Sequence, residues 1–214
     1  MRKIRNTGSS KIIGKFPSEK SGQMVEYESQ LERDFIYLLE NDPKVAYYTH
    51  QPLRLNFTLH GKKRVYTPDY LVLMDTAEKH IKEVKPEKKV PRYAEKFKAV
   101  KQILKEDGYN FSVVTEKFIR KEPRLSNVKF LQRYCRVGIS QEVVQATENF
   151  FAQAAEPVLL DDAITITASL GVLTAEFYAM MYRGIIGFDV DTKITLWSNV
   201  FFNQTNAKIA KEQL

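Results

Sequence analysis

Between residues 53 and 85 three strand-like runs follow one another, and the breaks between runs are too short for a crossover. Leu53, Leu55, Phe57 and Leu59 alternate with Arg54, Asn56, Thr58 and His60, which marks a half-buried strand. Gly61-Lys62-Lys63 turns the chain into a second strand at 64–74, RVYTPDYLVLM. The segment DTAEK turns it again into a third at 79–85. Strands joined this tightly pair as hairpins, so the pattern predicts a three-strand meander.

Helical periodicity flanks the meander. Leu31, Phe35, Leu38 and Leu39 predict an amphipathic helix over 29–40, ended by Asn41-Asp42-Pro43. Tyr93, Phe97, Val100 and Leu104 stripe a second helix over 92–107, closed by Gly108. Asn110–Ile119 reads as a fourth strand. Helix, three-strand meander, helix, strand is an α/β core with a mixed sheet. Downstream, helices are predicted at Gln141–Ala155, at Ala163–Ser169 and over 173–185, the last striped by Leu173, Phe177, Met180, Met181 and Ile185. The segment GIIGFDVDTKITLW then alternates around Asp191-Thr192 as a small hairpin. Three helices and a hairpin predict a mostly helical, winged-helix-like domain. The expected organisation is a flexible basic arm at 1–25, the α/β domain at 26–120, a basic connector at 121–136, the winged-helix-like domain at 137–205 and a tail at 206–214.

Charge is divided along the same lines. Residues 1–120 carry 24 basic against 16 acidic side chains, and the connector carries 5 against 1. Residues 137–214 carry 4 against 9. The first 136 residues therefore suit a polyanion and the last 78 do not. The single cysteine, Cys135, excludes an internal disulfide and a cysteine-based zinc site. No apolar stretch reaches spanning length and no apolar core follows the basic N-terminus, so a soluble, cytoplasmic protein with no membrane partner is expected.

Residues 80–86 read HIKEVKP, and they place Glu83 and Lys85 on one face of the third strand. Side by side and buried, such a pair costs several kcal/mol unless compensated. The hairpin from the preceding strand brings Asp69 toward Glu83. Two close carboxylates repel unless a cation lies between them. Oxygen ligands of this kind suit a hard ion such as Mg²⁺, and Lys85 can then orient a water or neutralise charge on a phosphate. Asp69 followed by Glu83-Val84-Lys85 is thus the arrangement of a metal-dependent phosphodiesterase.

The same residues resemble the PD-(D/E)XK nuclease superfamily, through Pro68-Asp69 and Glu83-Val84-Lys85. The blocks YESQLERDFIYLLENDPKV, QPL at 51–53, YTPDYLV and EVKP, in this order, resemble the TnsA family, the endonuclease subunits of heteromeric transposases. The resemblance runs from about Glu26 to Pro86. It implies a restriction-endonuclease-like core that cuts the 5′, non-transferred strand at transposon ends, with Mg²⁺ (or Mn²⁺ as a substitute) as cofactor. It implies transposon-end DNA, a TnsB-type transposase and a TnsC-type AAA+ ATPase as partners, in a bacterial cell. It carries a further catalytic acid onto Glu32 and implies metal contacts from Asp69, Glu83, Glu32 and the Val84 carbonyl.

Glu32 has a second reading. Ser29-Gln30-Leu31-Glu32 is a capping box, and Glu28, one turn earlier, is a rival ligand. Lys88, Lys89, Arg92 and Lys96 are either a solvated face or phosphate contacts. The arm, with Arg2, Lys3, Arg5, Lys11 and Lys15, either tracks DNA or is disordered. His50, His60 and His80 lack metal-ligand spacing and are expected to be structural. The acidic second domain is expected to contact protein rather than read bases.

Overall fold

The computed structural model describes residues 13–213, which form two units divided between Lys121 and Glu122. In the first unit the elements are β1 (Gly14–Ser18), β2 (Gln23–Tyr27), α1 (Gln30–Asn41), β3 (Val45–His50), β4 (Leu55–Leu59), β5 (Lys62–Tyr66), β6 (Tyr70–Met74), β7 (Lys79–Val84), α2 (Ala94–Glu106), β8 (Asn110–Val114) and α3 (Glu116–Ile119). Two 3₁₀ turns, Glu87–Lys89 and Pro91–Tyr93, lead into α2.

The central sheet runs β3-β6-β7-β8, with β7 and β8 parallel and the other pairs antiparallel. The mixed α/β core is as expected, but its strands are not the predicted meander. The run 64–74 is broken at Thr67-Pro68-Asp69, so β5 and β6 are separate strands. Proline has no N–H for a ladder, which favours a break there. β4 and β5 form their own two-stranded ribbon, and the fourth sheet position is taken by β3, which lies outside the expected strands. The predicted strand 110–119 ends at Val114, and α3 turns Ile119 into the core. Arg120 then pairs its Nε with Asp34 Oδ2 of α1 at 2.9 Å.

Apolar periodicity explains the layers. α1 buries Leu31, Phe35, Ile36 and Leu39 against Tyr48, Tyr70, Val72, Val84 and Val114. On the other side, α2 and the ribbon bury Phe57, Tyr66, Phe97, Val100 and Leu104 with Ile81 and Phe111. The sheet is thus covered on both faces, as a sheet with parallel pairing requires.

Residues 14–27 fold into the β1–β2 hairpin rather than continuing a flexible arm, and Lys15 pairs with Glu26 at 3.5 Å. The rest of the predicted arm, residues 1–12, lies outside the described residues. Glu40, buried near the C-terminal end of α1, ties this hairpin down. It accepts from the Ser18 hydroxyl (2.9 Å), the Glu19 N–H (2.8 Å) and the Tyr48 hydroxyl (2.6 Å).

In the second unit the elements are α4 (Arg124–Leu131), α5 (Gln141–Gln153), β9 (Val158–Leu159), α6 (Leu160–Ser169), α7 (Thr174–Tyr182), β10 (Ile186–Phe188), β11 (Asn199–Phe202) and α8 (Gln204–Gln213). The strands form one small sheet with β11 between β10 and β9. The 121–136 segment is mostly not a connector: α4 belongs to this unit, and Leu131 is in its core. Nor does the predicted hairpin turn straight back at Asp191-Thr192. An Asp189 turn, with the Asp191 N–H on Oδ1 at 3.0 Å, opens a loop that returns only at Asn199. The buried Asn127 amide of α4 holds that loop, donating to the Val190 and Thr192 carbonyls and accepting from the Ile194 N–H. The predicted tail is largely α8. Ala207 is buried, and Lys211 reaches Glu148 of α5 at 2.6 Å.

Replacing Glu40 with Ala leaves four donors in the first unit without their acceptor, the Lys20 N–H being the fourth. At about 1 kcal/mol each, the loss is expected to be roughly 4 kcal/mol in urea unfolding. Hydrogen exchange at the Glu19 amide should rise with it.

Candidate functional site

The register of β6 on β7 positions the charged residues. Tyr70 lies opposite Lys82, and Leu71 opposite Ile81. One residue before β6 the chain leaves the ladder, and the Asp69 side chain takes the place of a ladder carbonyl: its Oδ2 accepts the Val84 N–H at 2.8 Å. On the far side of β7, the Lys85 N–H continues to the Val114 carbonyl of β8 at 3.0 Å. Asp69 is thereby anchored at the end of the strand that carries Glu83 and Lys85.

Glu83 is buried, and both its oxygens are engaged. Oε1 faces Lys85 Nζ at 2.8 Å, and Oε2 accepts the Tyr66 hydroxyl at 2.6 Å. Lys96 Nζ lies 4.0 Å from the Tyr66 ring centroid, and Lys85 Nζ lies 5.6 Å from that of Tyr93. The predicted pair therefore exists, and an aromatic wall from the ribbon and the α2 approach backs it.

The electrostatics follow from burial. Burial, followed by the charges of Glu83 and Glu32, pushes the Asp69 carboxyl well above its usual range. Burial also raises Glu32, with Lys85 among the groups opposing that rise. Burial disfavours the Lys85 charge, but Glu83 and Asp69 outweigh it and hold the ammonium above its ordinary value. Lys96 goes the other way: burial, with the repulsion of Lys85 added, lowers it against the pull of Glu83 and Asp69. Burial and the Glu83 charge raise the Tyr66 phenol, so it remains a donor.

Glu32 comes from α1, on the opposite face of the sheet, and its carboxylate is used in the helix cap. Its Oε1 accepts the Ser29 hydroxyl at 2.8 Å and its Oε2 the Glu28 N–H at 2.7 Å, while Ser29 Oγ accepts the Glu32 N–H at 3.1 Å. The Ser29 half of the capping box forms, but the Glu32 carboxylate takes the Glu28 N–H in place of the N-cap N–H. This arrangement also places Glu32 within electrostatic reach of Asp69 and Lys85. Glu28 instead accepts from Gln51 Nε2 at 3.2 Å.

Of the four predicted phosphate contacts, Lys88, Lys89 and Arg92 are exposed on the 3₁₀ turns just beyond Lys85, whereas Lys96 is half-buried in the acidic centre itself. Among the described residues no three His, Cys, Asp or Glu side chains form a group spaced for a metal ion. The histidines stay apart from them: His60 meets Glu95 and His80 meets Glu78 on the surface, and His50 packs near Tyr70. Among the described residues no helix is long and apolar enough to cross a membrane.

Two participants were not assigned to the centre from sequence. Tyr66 precedes the break in the 64–74 run, so its return to Glu83 depends on how the ribbon folds back. Lys96 sits between Tyr93 and Phe97, at the edge of the apolar stripe of α2. That flanking position was the available signal.

Without a divalent ion, the raised Asp69 pKa makes this centre a cost to folding at neutral pH. The folded state holds the proton more tightly than the unfolded state, so this contribution to stability falls as pH rises through the interval between the two values. Asp69→Asn is therefore expected to be more stable than wild type near pH 8 in EDTA. The gap should close as pH falls to about 4, the unfolded carboxylate value. Thermal melts across that range check both sign and window.

The comparison with protein families gives one match: residues 42–116 fit the family described as TnsA-like endonuclease N terminal. The match spans β3 to the start of α3 and includes Asp69, Glu83, Lys85 and Lys96; Glu32 lies before it. Comparison with curated proteins gives no match.

Proposed function

We propose that this chain, whose residues 42–116 are a TnsA-like endonuclease N-terminal domain, is the endonuclease subunit of a heteromeric transposase and cuts the 5′, non-transferred strand at transposon ends. The observation that carries the reading is the convergence of Asp69, Glu83 and Lys85 at one end of the sheet, inside the matched segment. The donor chemistry fits a hard divalent cation. Burial first, and then the charge of Glu83, raise the Asp69 carboxyl, and carboxylates so placed suit Mg²⁺, with Mn²⁺ as a substitute. Asp69, Glu83 and the Val84 carbonyl would hold it, with Glu32 supporting from α1. Bound there, the ion supplies Lewis acidity and an activated water.

The chain's own residues do the rest. Lys85 keeps its proton, so it can orient the attacking water and balance charge on the scissile phosphate. Tyr66 fixes the rotamer of Glu83 from below. Lys88, Lys89 and Arg92, following directly in the chain, would take neighbouring phosphates. In the second unit, the order helix, strand, helix, helix, strand, strand from α5 to β11, with β11 central, supports a winged-helix reading. Its excess of acids favours a protein partner of the TnsB or TnsC type over duplex DNA.

The test is strand-mapped cleavage of transposon-end DNA in Mg²⁺, with and without the TnsB-type partner. Partner-dependent cuts on the 5′ strand are expected. Asp69→Ala and Lys85→Ala should each lose about 100-fold or more, and Tyr66→Phe about tenfold. End-independent cutting by the chain alone would replace the transposase reading with a stand-alone nuclease. Failure of both alanine variants to alter cutting would remove the centre from the chemistry.

A further inference from the structure

The β4–β5 ribbon has features that neither the core nor the acidic centre requires. It is detached from the central sheet and pairs only with itself. Its turn, His60-Gly61, has positive φ at both residues (50° and 70°), the geometry of a tight two-residue hairpin whose twist matches its strands. From Leu53 to Tyr66 it carries Arg54, Lys62, Lys63 and Arg64 and no acidic residue. All four cations are exposed, and none makes an ion pair among the described residues. Elsewhere in this unit Lys15, Lys85, Lys117 and Arg120 are matched to carboxylates, while Lys88, Lys89 and Arg92, just beyond the acidic centre, are like the ribbon's cations without an ion pair among the described residues. Four unmatched cations on one short element repel each other and have no role in packing.

The register gives the ribbon a direction. Leu55 lies opposite Tyr66, Phe57 opposite Arg64, and Leu59 opposite Lys62, so Tyr66, Arg64 and Lys62 share one face. Tyr66 is the residue whose hydroxyl holds Glu83. Arg64 and Lys62 therefore step away from the acidic centre at intervals of about 7 Å. On the other face Lys63 stands opposite Thr58, next to exposed Asn56 and Val65. Phe57 and Tyr66 bury part of the first face against α2, so a duplex meets the ribbon from its exposed side, where Lys62, Lys63 and Arg64 are all accessible to phosphates.

We propose that the β4–β5 ribbon grips duplex DNA flanking the cut, with Arg64, Lys62 and Lys63 as its phosphate contacts and Arg54 beside them. The proposal rests on the nuclease reading for the identity of the occupant. The ribbon ties the bound duplex to the catalytic acid through Tyr66, so gripping and cutting share one rigid element.

The experiment measures binding of the full chain to a fluorescein-labelled linear DNA duplex by anisotropy, in EDTA, over a salt series. The ribbon variant is Lys62→Gln, Lys63→Gln, Arg64→Gln. The control removes the same charge at the opposite end of the sheet, with Lys44→Gln, Lys79→Gln and Lys105→Gln. Those residues lie next to the Val45–Met74 pairing, opposite Leu73, and at the C-terminal end of α2. Thermal melts establish that both variants fold.

Losing three phosphate contacts is expected to lower the slope of log K against log salt by about 2.7, with weaker binding at low salt. The control should change the slope by less than one contact's worth, about 0.9. Wild-type slope in the ribbon variant, or an equal fall in the control, overturns the ribbon as a grip. Mg²⁺-dependent cutting of end DNA is followed in parallel on the same preparations with the TnsB-type partner. Cutting that persists in a protein whose ribbon does not matter sinks the ribbon alone. Ribbon-dependent binding without any cutting sinks the nuclease reading alone. Absence of duplex binding by wild type at low salt overturns the ribbon whatever the cutting assay gives.

Discussion

The pairing of Tyr70 with Lys82 governs where the charged groups of the first unit stand. It ends the β6–β7 ladder one step before the ionisable residues. Past that point Pro68 has no N–H to offer, and the Asp69 carboxylate takes over the Val84 N–H. A shift of one residue in this register would turn Glu83 and Lys85 to the α1 face, into the packing of Phe35, Ile36 and Val72. The hydrophobic halves of the same strands forbid that shift, because Ile81 and Leu71 would lose α2. Core packing and the placement of the acids are therefore one constraint.

The centre so formed is unfavourable on electrostatic grounds and is held in place by its surroundings. Burial, with repulsion from Glu83 and Glu32 added to it, is why Asp69 holds its proton tightly. Lys85 and the Tyr66 hydroxyl offset part of this at Glu83, and Lys96 contributes a cation that burial has weakened. Most of the carboxylate oxygens are already engaged: both of Glu83, both of Glu32, and Asp69 Oδ2, which holds the Val84 N–H. The surrounding groups come from three elements distant in sequence: Tyr66 from the ribbon and Lys96 from α2 on the Glu83 side, and Glu32 from α1, which adds to the repulsion.

The second unit follows a different logic. Its core is nearly all apolar, and its polar interior is spent on holding a loop: the Asn127 amide satisfies two carbonyls and one N–H between Val190 and Ile194. Without that amide, part-buried backbone groups of the loop would lose these partners. This is also why the supposed connector had to be part of the unit. α4 supplies both Leu131 to the core and Asn127 to the loop, and neither role is visible from a local run of basic residues.

The sequence by itself determined the helices with clear apolar stripes, the mixed α/β class, and the association of Asp69 with Glu83 and Lys85. Those follow from local periodicity and a short turn, which restrict partners to near neighbours. Tertiary structure decided the rest. It brought in β3 as an edge strand, set β4–β5 apart as a ribbon, and turned residues 14–27 into a hairpin clamped by Glu40. It also chose the side of the acids on which Tyr66 and Lys96 stand. These outcomes depend on contacts between residues far apart in the chain, where period and spacing say which face a side chain occupies but not what lies across from it.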